Sequence, residues 1–288
     1  MKIGITFFGT PEFAVPTLEA LCLARFCDVK LVVTQPDKPV GRHHSTPVSS
    51  PVKKIAEEHG IPVVTQPPPN PLLNTGGGIL GILVAYGAII PKKLIDAFPL
   101  GILNIHPSLL PKYRGSSPIQ AAILNQDKET GVTIMQLDGK MDHGPIAAQE
   151  RVRLNQTETA GELHDTLARI GAELLVKTLP DYIAGRITLK PQDEKAATYT
   201  KKLSKDDGKI DWSKSAEEIR AHARAMNPWP GAWTEWRPPH RRAGGKKLII
   251  WSTAKDGTPE EIQLQAKKRM SFGEFKRGHP DFAIADCS

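Results

Sequence analysis

The sequence predicts an α/β fold: a doubly wound, mostly parallel sheet followed by a small β-rich unit. Short apolar runs alternate with segments of helical spacing through the first two thirds of the chain, which is the order that strand–helix crossovers of a parallel sheet require. Beyond Ile210 the pattern changes to one helix followed by strand candidates punctuated by Trp, Pro and Gly. The expected divisions are a first domain over residues 1–185, a linker over 186–205 and a second domain over 206–288.

Residues 2–8 (KIGITFF) form a buried strand, and Gly9-Thr10-Pro11 turns into a helix. Pro11 suits the first helical position, where its missing N–H costs nothing. Phe13, Val15, Leu18, Leu21 and Leu23 mark that helix, and residues 29–34 are the second strand. Residues 35–51 form a long loop rich in Pro, Ser and His; loops of that length are commonly functional or disordered. A short helix over 52–59 leads to the third strand at 61–65, and 66–78 is irregular. A strongly apolar strand at 79–86, a brief helix at 92–97, a strand at 102–106 and a helix at 119–125 follow. Strands at 132–137 and 146–154 pair around the polar loop 138–145. Residues 159–184 make the longest helix, apolar at Leu163, Leu167, Ile170, Leu174 and Leu175. In the second unit, 216–225 is a helix and 233–236 and 247–251 are strands.

The 288 residues are 40% hydrophobic and 24% charged, ordinary for a globular protein in water. The most apolar stretch, 78–90, is broken by Gly81 and Gly87 and ends at Pro91, too short to span a bilayer. The opening MKIGITFFGT reads as a strand and not as a secretion signal. Cys22, Cys27 and Cys287 form neither an even set nor a metal-ligand spacing, so a reducing, cytoplasmic setting is expected. The net charge of +7 sits at one end: residues 186–288 hold 21 Lys and Arg against 14 Asp and Glu, while 1–185 balance at 17 each. A basic appendage on a neutral domain points to a polyanionic partner, nucleic acid first. A solubilising basic face is the plain alternative.

The most informative stretch is GILNIHPSLLPKYRGSSP, residues 101–118. Residues two apart on a strand share a face, so Asn104 and His106 point the same way. Pro107 ends the ladder immediately after them. An amide and an imidazole thus stand together at the carboxyl end of a strand, where open α/β sheets bind ligands. A hydrogen-bonded core His beside a turn Asn would explain the pair equally well.

NIHPSLLPKYRGSSP resembles the catalytic segment of the folate-dependent formyltransferases. FFGTPEFAVPTLEAL, QPDKPVGR with SSPVKKIAEEHGIPV, ETGVTIMQLDGKMDHGPI and IDWSKSAEEIRAHARAMNPWPGAW resemble, in that order, further segments of the methionyl-tRNA formyltransferase family. The resemblance runs from Lys2 to about Trp236 and returns in QLQAKKRMSFGEFKRGH. It implies a Rossmann-like catalytic domain, an oligonucleotide-binding (OB-like) second domain, and formyl transfer from 10-formyltetrahydrofolate to the amine of initiator methionyl-tRNA. By the match, Asn104 donates to the formyl oxygen, His106 handles protons, and Asp142 sets the protonation and orientation of His106. Asp138 is a nearby rival, but MDHG and not LDG matches the catalytic position; His143 reads as a loop His. Ser108, Leu109, Leu110 and Pro111 match the folate-binding loop, and Tyr86, Gly87 and Ile89 a wall of the pterin pocket. Arg42, Lys201, Lys205, Arg241 and Arg242 are the implied tRNA contacts. No metal is implied, and the implied setting is a cytoplasmic monomer whose partners are folate and tRNA, without a membrane.

Three departures qualify the match. His43-His44-Ser45-Thr46 follows Arg42 where the family has a basic run. The stretch between Trp251 and KKRMS is too short for a complete five-stranded barrel, so a shortened or open one is expected. Gly144-Pro145 after Asp142 resembles formyltransferases of small amines about as well. Two other functions therefore stand beside the first: formyl transfer to an amino-sugar nucleotide or glycinamide ribonucleotide, and a non-catalytic RNA-binding protein.

Overall fold

The computed structural model describes residues 2–39, 47–67, 79–236, 245–280 and 282–284, which divide into two units. In chain order the elements of the first two thirds are β1 (Ile3–Gly9), α1 (Val15–Leu23), β2 (Cys27–Val33), α2 (Pro51–Glu58), β3 (Val63–Val64), β4 (Leu80–Val84), α3 (Lys92–Ile95), β5 (Ile102–His106), α4 (Pro118–Leu124), β6 (Glu129–Gln136), β7 (Ile146–Arg153) and α5 (Ala160–Ile183). The seven strands form one sheet in the order β3-β2-β1-β4-β5-β6-β7. The pairs from β3 through to β5 are all parallel, and β6 runs antiparallel to β5. The chain winds outward from β1 to β3, then crosses back to lay β4 on the other side of β1. That reversal opens a crevice at the strands' carboxyl ends.

The strands' continuous apolar runs follow from burial on both faces. Ile5, Phe7, Phe8, Leu31, Leu80, Ile82, Ile102 and Leu103 are all wholly buried. On one side Phe8, Leu31, Val33, Tyr86, Leu94, Phe98 and Ile102 form a cluster, with Phe8 edge-on to both Tyr86 and Phe98. A short 3-10 turn, Glu12–Ala14, precedes α1, so Phe13 lies before the helix. Residues 164–199 belong to the first unit. Ile146 and Lys190 exchange backbone hydrogen bonds, and Arg114 N–H donates to Thr198 O at 2.8 Å.

The second unit comprises 116–130, 153–163 and 200–288. Its helix α6 (Ala216–Ala225) starts with a reciprocal cap, Ser215 on the Glu218 N–H and Glu218 on Ser215. β8 (Ala232–Trp236), β9 (Lys246–Thr253), β10 (Pro259–Leu264) and β11 (Arg269–Ser271) then pair in sequence as an antiparallel sheet, followed by α7 (Phe272–Gly278). Among the described residues this sheet has four strands in line, a shortened and open β unit. Trp236 anchors its inner face edge-on against Phe275 and Phe282. Among the described residues no helix is long and apolar enough to cross a membrane.

Candidate active site

Strand β5 places Asn104 and His106 on one face, at 5% and 4% exposure. Asp142 reaches them from the loop between β6 and β7. Its Oδ1 accepts from Asn104 Nδ2 at 3.3 Å, and its Oδ2 lies 3.7 Å from His106 Nδ1. The Gly115 N–H donates to the same Oδ2 at 2.8 Å. The three side chains named from the sequence are thus brought together.

The imidazole has a further partner on its other side. His106 Nε2 lies 2.9 Å from the Tyr113 carbonyl oxygen. A carbonyl only accepts, so Nε2 carries the proton and Nδ1 keeps its lone pair in the neutral ring. The Asp142 contact, at 3.7 Å, is within ion-pair range but too long for a direct hydrogen bond. The Tyr113 carbonyl and the Asp142 carboxylate thus face opposite nitrogens of the ring. Asn104 spends one amide hydrogen on Asp142 and has a second to offer.

The loop after β5 is tied to the sheet by groups the sequence reading did not single out. Thr133 Oγ1 donates to Ser108 O at 2.7 Å and accepts from Leu110 N–H at 3.1 Å, while Gln149 Nε2 donates to Leu110 O at 2.9 Å. Ser108 is wholly buried and donates to Lys112 O at 2.6 Å, closing its own turn. Leu110 is 3% exposed and Leu109 packs beside Gly131, so these side chains help hold the loop. Tyr86 has its ring in the core, edge-on to Phe8. Its carbonyl accepts from Thr10 Oγ1 at 2.9 Å. Gly87, at φ 84, is exposed, and Ile89 is 90% exposed beside it.

His143 is a bridge between carboxylates. Its Nδ1 contacts Asp138 Oδ2, and its Nε2 lies 3.3 Å from Glu194 Oε1. Burial pushes the Asp138 carboxyl up, but hydrogen bonds from His143 and the Lys140 N–H outweigh it and hold Asp138 below the usual carboxylate range. Asp138 is thereby occupied in the loop and is not a competitor for His106. Gly144 has a packing reason: a Cβ there would stand 1.8 Å from the Gln136 carbonyl oxygen.

In the second unit Lys201 and Lys205 are exposed. Lys201 pairs with Asp207, and the Lys205 carbonyl accepts from Trp233 Nε1 at 2.9 Å. Arg42, Arg241 and Arg242 lie outside the described residues, as do His43 and His44. Among the described residues no three His, Cys, Asp or Glu side chains gather where a metal could be held.

An amide, an imidazole and a carboxylate meet at the carboxyl end of a strand in a doubly wound α/β sheet. The chain belongs to the formyl transferase family: the family's N-terminal model, described as "Formyl transferase", matches residues 1–179, and "Formyl transferase, C-terminal domain" matches 202–260. It is 45% identical to a methionyl-tRNA formyltransferase of Chloroflexus aggregans over 96% of this chain and 87% of the relative. It is 43% identical to that of Coxiella burnetii over 99% of this chain and 98% of the relative. Among solved structures, an N-formyltransferase from Helicobacter canadensis, in complex with folinic acid and dTDP-3-aminofucose, superposes with a TM-score of 0.64 at 21% identity, covering 93% of this chain and all of that one. At that identity the likeness concerns the fold.

Proposed function

We propose that the protein transfers the formyl group of 10-formyltetrahydrofolate to the amine of initiator methionyl-tRNA, acting as a cytoplasmic monomer. Residues 1–185 would carry the chemistry and 206–288 would grip the tRNA, with 186–205 between them. The observation that carries the reading is the convergence of Asn104, His106 and Asp142 on one face at the end of β5. The free amide hydrogen of Asn104 is available to the oxyanion that forms as the amine adds to the formyl carbon. His106 Nδ1 takes the proton the amine loses and can return it to the departing folate nitrogen. Asp142 stabilises the imidazolium in between. Ser108, Leu109, Leu110 and Pro111, with the exposed Gly87 and Ile89 and the backbone of Tyr86, would receive the donor. Arg42, Lys201, Lys205, Arg241 and Arg242 would meet tRNA phosphates.

Relatives that carry the methionyl-tRNA name over nearly the whole chain support this acceptor. Gly144 does not argue for a small amine, because the contact with Gln136 requires a glycine there whatever the acceptor. The deciding assay offers the enzyme 10-formyltetrahydrofolate with either charged initiator tRNA or an amino-sugar nucleotide. Formyl transfer to the tRNA is expected; transfer only to the sugar nucleotide would overturn the acceptor, and transfer to neither would leave an RNA-binding protein.

A further inference from the structure

The side chain of Arg114 is fully buried, and the chemistry above makes no use of it. Its Nε and Nη2 donate to Gln192 Oε1 at 3.0 and 2.9 Å. Its other edge meets both carboxylate oxygens of Glu194, at 2.6 and 3.1 Å, and Tyr199 OH at 3.1 Å. A guanidinium has only donors, so the Gln192 amide cannot flip: its oxygen must face Arg114 and its NH2 must face away. That NH2 donates to the carbonyls of Asp142 and Gly144, each at 2.8 Å. Asp142 sits at φ 46, in the left-handed region, a conformation that persists where the surroundings over-determine it. Two segments joined through Arg114 and Gln192 thus grip Asp142 at both ends. Gln192 holds its carbonyl, and the N–H of Gly115, next to Arg114, holds its carboxylate.

We propose that Arg114, Gln192 and Glu194 form a clamp that positions Asp142 between Asn104 and His106. Gln192 and Glu194 are then positioning residues for the transfer, although they lie in the polar stretch that follows α5. The clamp rests on the reading of Asn104, His106 and Asp142 given above. Glu194 also meets His143, which is anchored on Asp138, so the whole loop from Asp138 to Gly144 is fastened to it.

The test is Gln192→Glu. It keeps an oxygen toward Arg114 and strengthens that pair, but it turns an oxygen toward the two carbonyls in place of their donor. Steady-state formyl transfer is measured with the folate donor varied, alongside a melting curve. The expected result is a folded variant with kcat down by about 10- to 100-fold, the size of effect that partners of site residues show. KM for the donor should stay within about threefold, because ground-state binding is untouched. A folded variant with kcat within about twofold of the wild type, or a loss confined to KM, would overturn the clamp. Should Gln192→Glu not fold, Glu194→Gln, at a half-exposed residue, is read the same way: lowered kcat at unchanged KM is expected, and wild-type kcat overturns the proposal. Asn104→Ala and His106→Ala run in parallel. If those two retain full turnover the site reading itself fails; if they lose it while the clamp variants do not, only the clamp does.

Discussion

The hydrogen bond between His106 and the Tyr113 carbonyl decides which ring nitrogen can act as a base, and nothing in the spacing of residues shows it. Asn104 and His106 were legible because period-two alternation puts them on one face of β5. Asp142 was legible only through its motif, since a loop carboxylate 38 residues away has no periodic signature. Tyr113 acts through its main chain at φ 61, where the side-chain identity carries no message. A half-buried histidine yields a prediction. His222 on α6 has its Nε2 buried without a partner. Burial pushes its pKa below the ordinary value, against smaller opposing effects of the Gly208 backbone and Asp207. The unfolded chain therefore binds a proton that the folded chain resists. Stability contributed by the neutral ring is present above the unfolded pKa, about 6.5, and is lost as pH falls toward the folded value. The melting temperature should drop between about pH 7.5 and 5.5, and His222→Gln should make that drop smaller. Identical profiles for the two proteins would show that the ring does not titrate on unfolding. The carboxylates held low, Asp138 and Glu158 among them, act in a separate window below their ordinary range.

Elements whose residues are buried on both faces, or whose caps are spelled out, can be read directly. β1, β4 and β5 announce themselves as apolar runs, and α6 falls where Ser215 and Glu218 predict it. β10, β11 and α7 escaped because their strands are short and their outward faces polar, as in Glu261, Gln263 and Arg269. The stretch after α5 escaped for another reason. A polar composition suits a linker as well as it suits a segment whose polar groups bond a loop, and only the partners of Gln192 and Glu194 tell them apart. The β6–β7 loop also depends on close backbone approach. Gln136 N–H donates to Pro145 O at 2.9 Å, which leaves no room for a side chain at residue 144. Gly144→Ala should cost about 2–3 kcal/mol in chemical denaturation, the range of overpacking. Gly273→Ala is the control: it lies in α7 with nothing within 4 Å of a Cβ, and should be neutral or stabilising by up to about 1 kcal/mol. Equal effects at the two glycines would refute the packing account.

The uneven charge of the chain bears on how an RNA would be held. All the excess positive charge lies in residues 186–288, whereas the Asn104–His106–Asp142 site is in the first unit. If that basic part neutralises phosphates, binding must weaken linearly in log affinity against log salt, because each neutralised phosphate releases counterions. The exposed lysines should not contribute equally. Lys201 is already paired with Asp207, whose carboxyl its hydrogen bond, with those of Ser204, holds below the usual range. Part of its charge is therefore balanced before any RNA arrives. Among the described residues Lys205 has no ion pair of that kind, so it should be the stronger phosphate contact. Lys205→Ala is expected to lower the salt slope by about one, the effect of losing one phosphate contact, while Lys201→Ala lowers it by less. The measurement is a filter-binding or anisotropy titration of initiator tRNA at several salt concentrations. Catalytic turnover at saturating tRNA should be unchanged in both variants, since neither lysine belongs to the β5 site. A slope that neither substitution alters would place the phosphate contacts elsewhere, and a slope that falls equally in both would mean the Asp207 pair opens on binding.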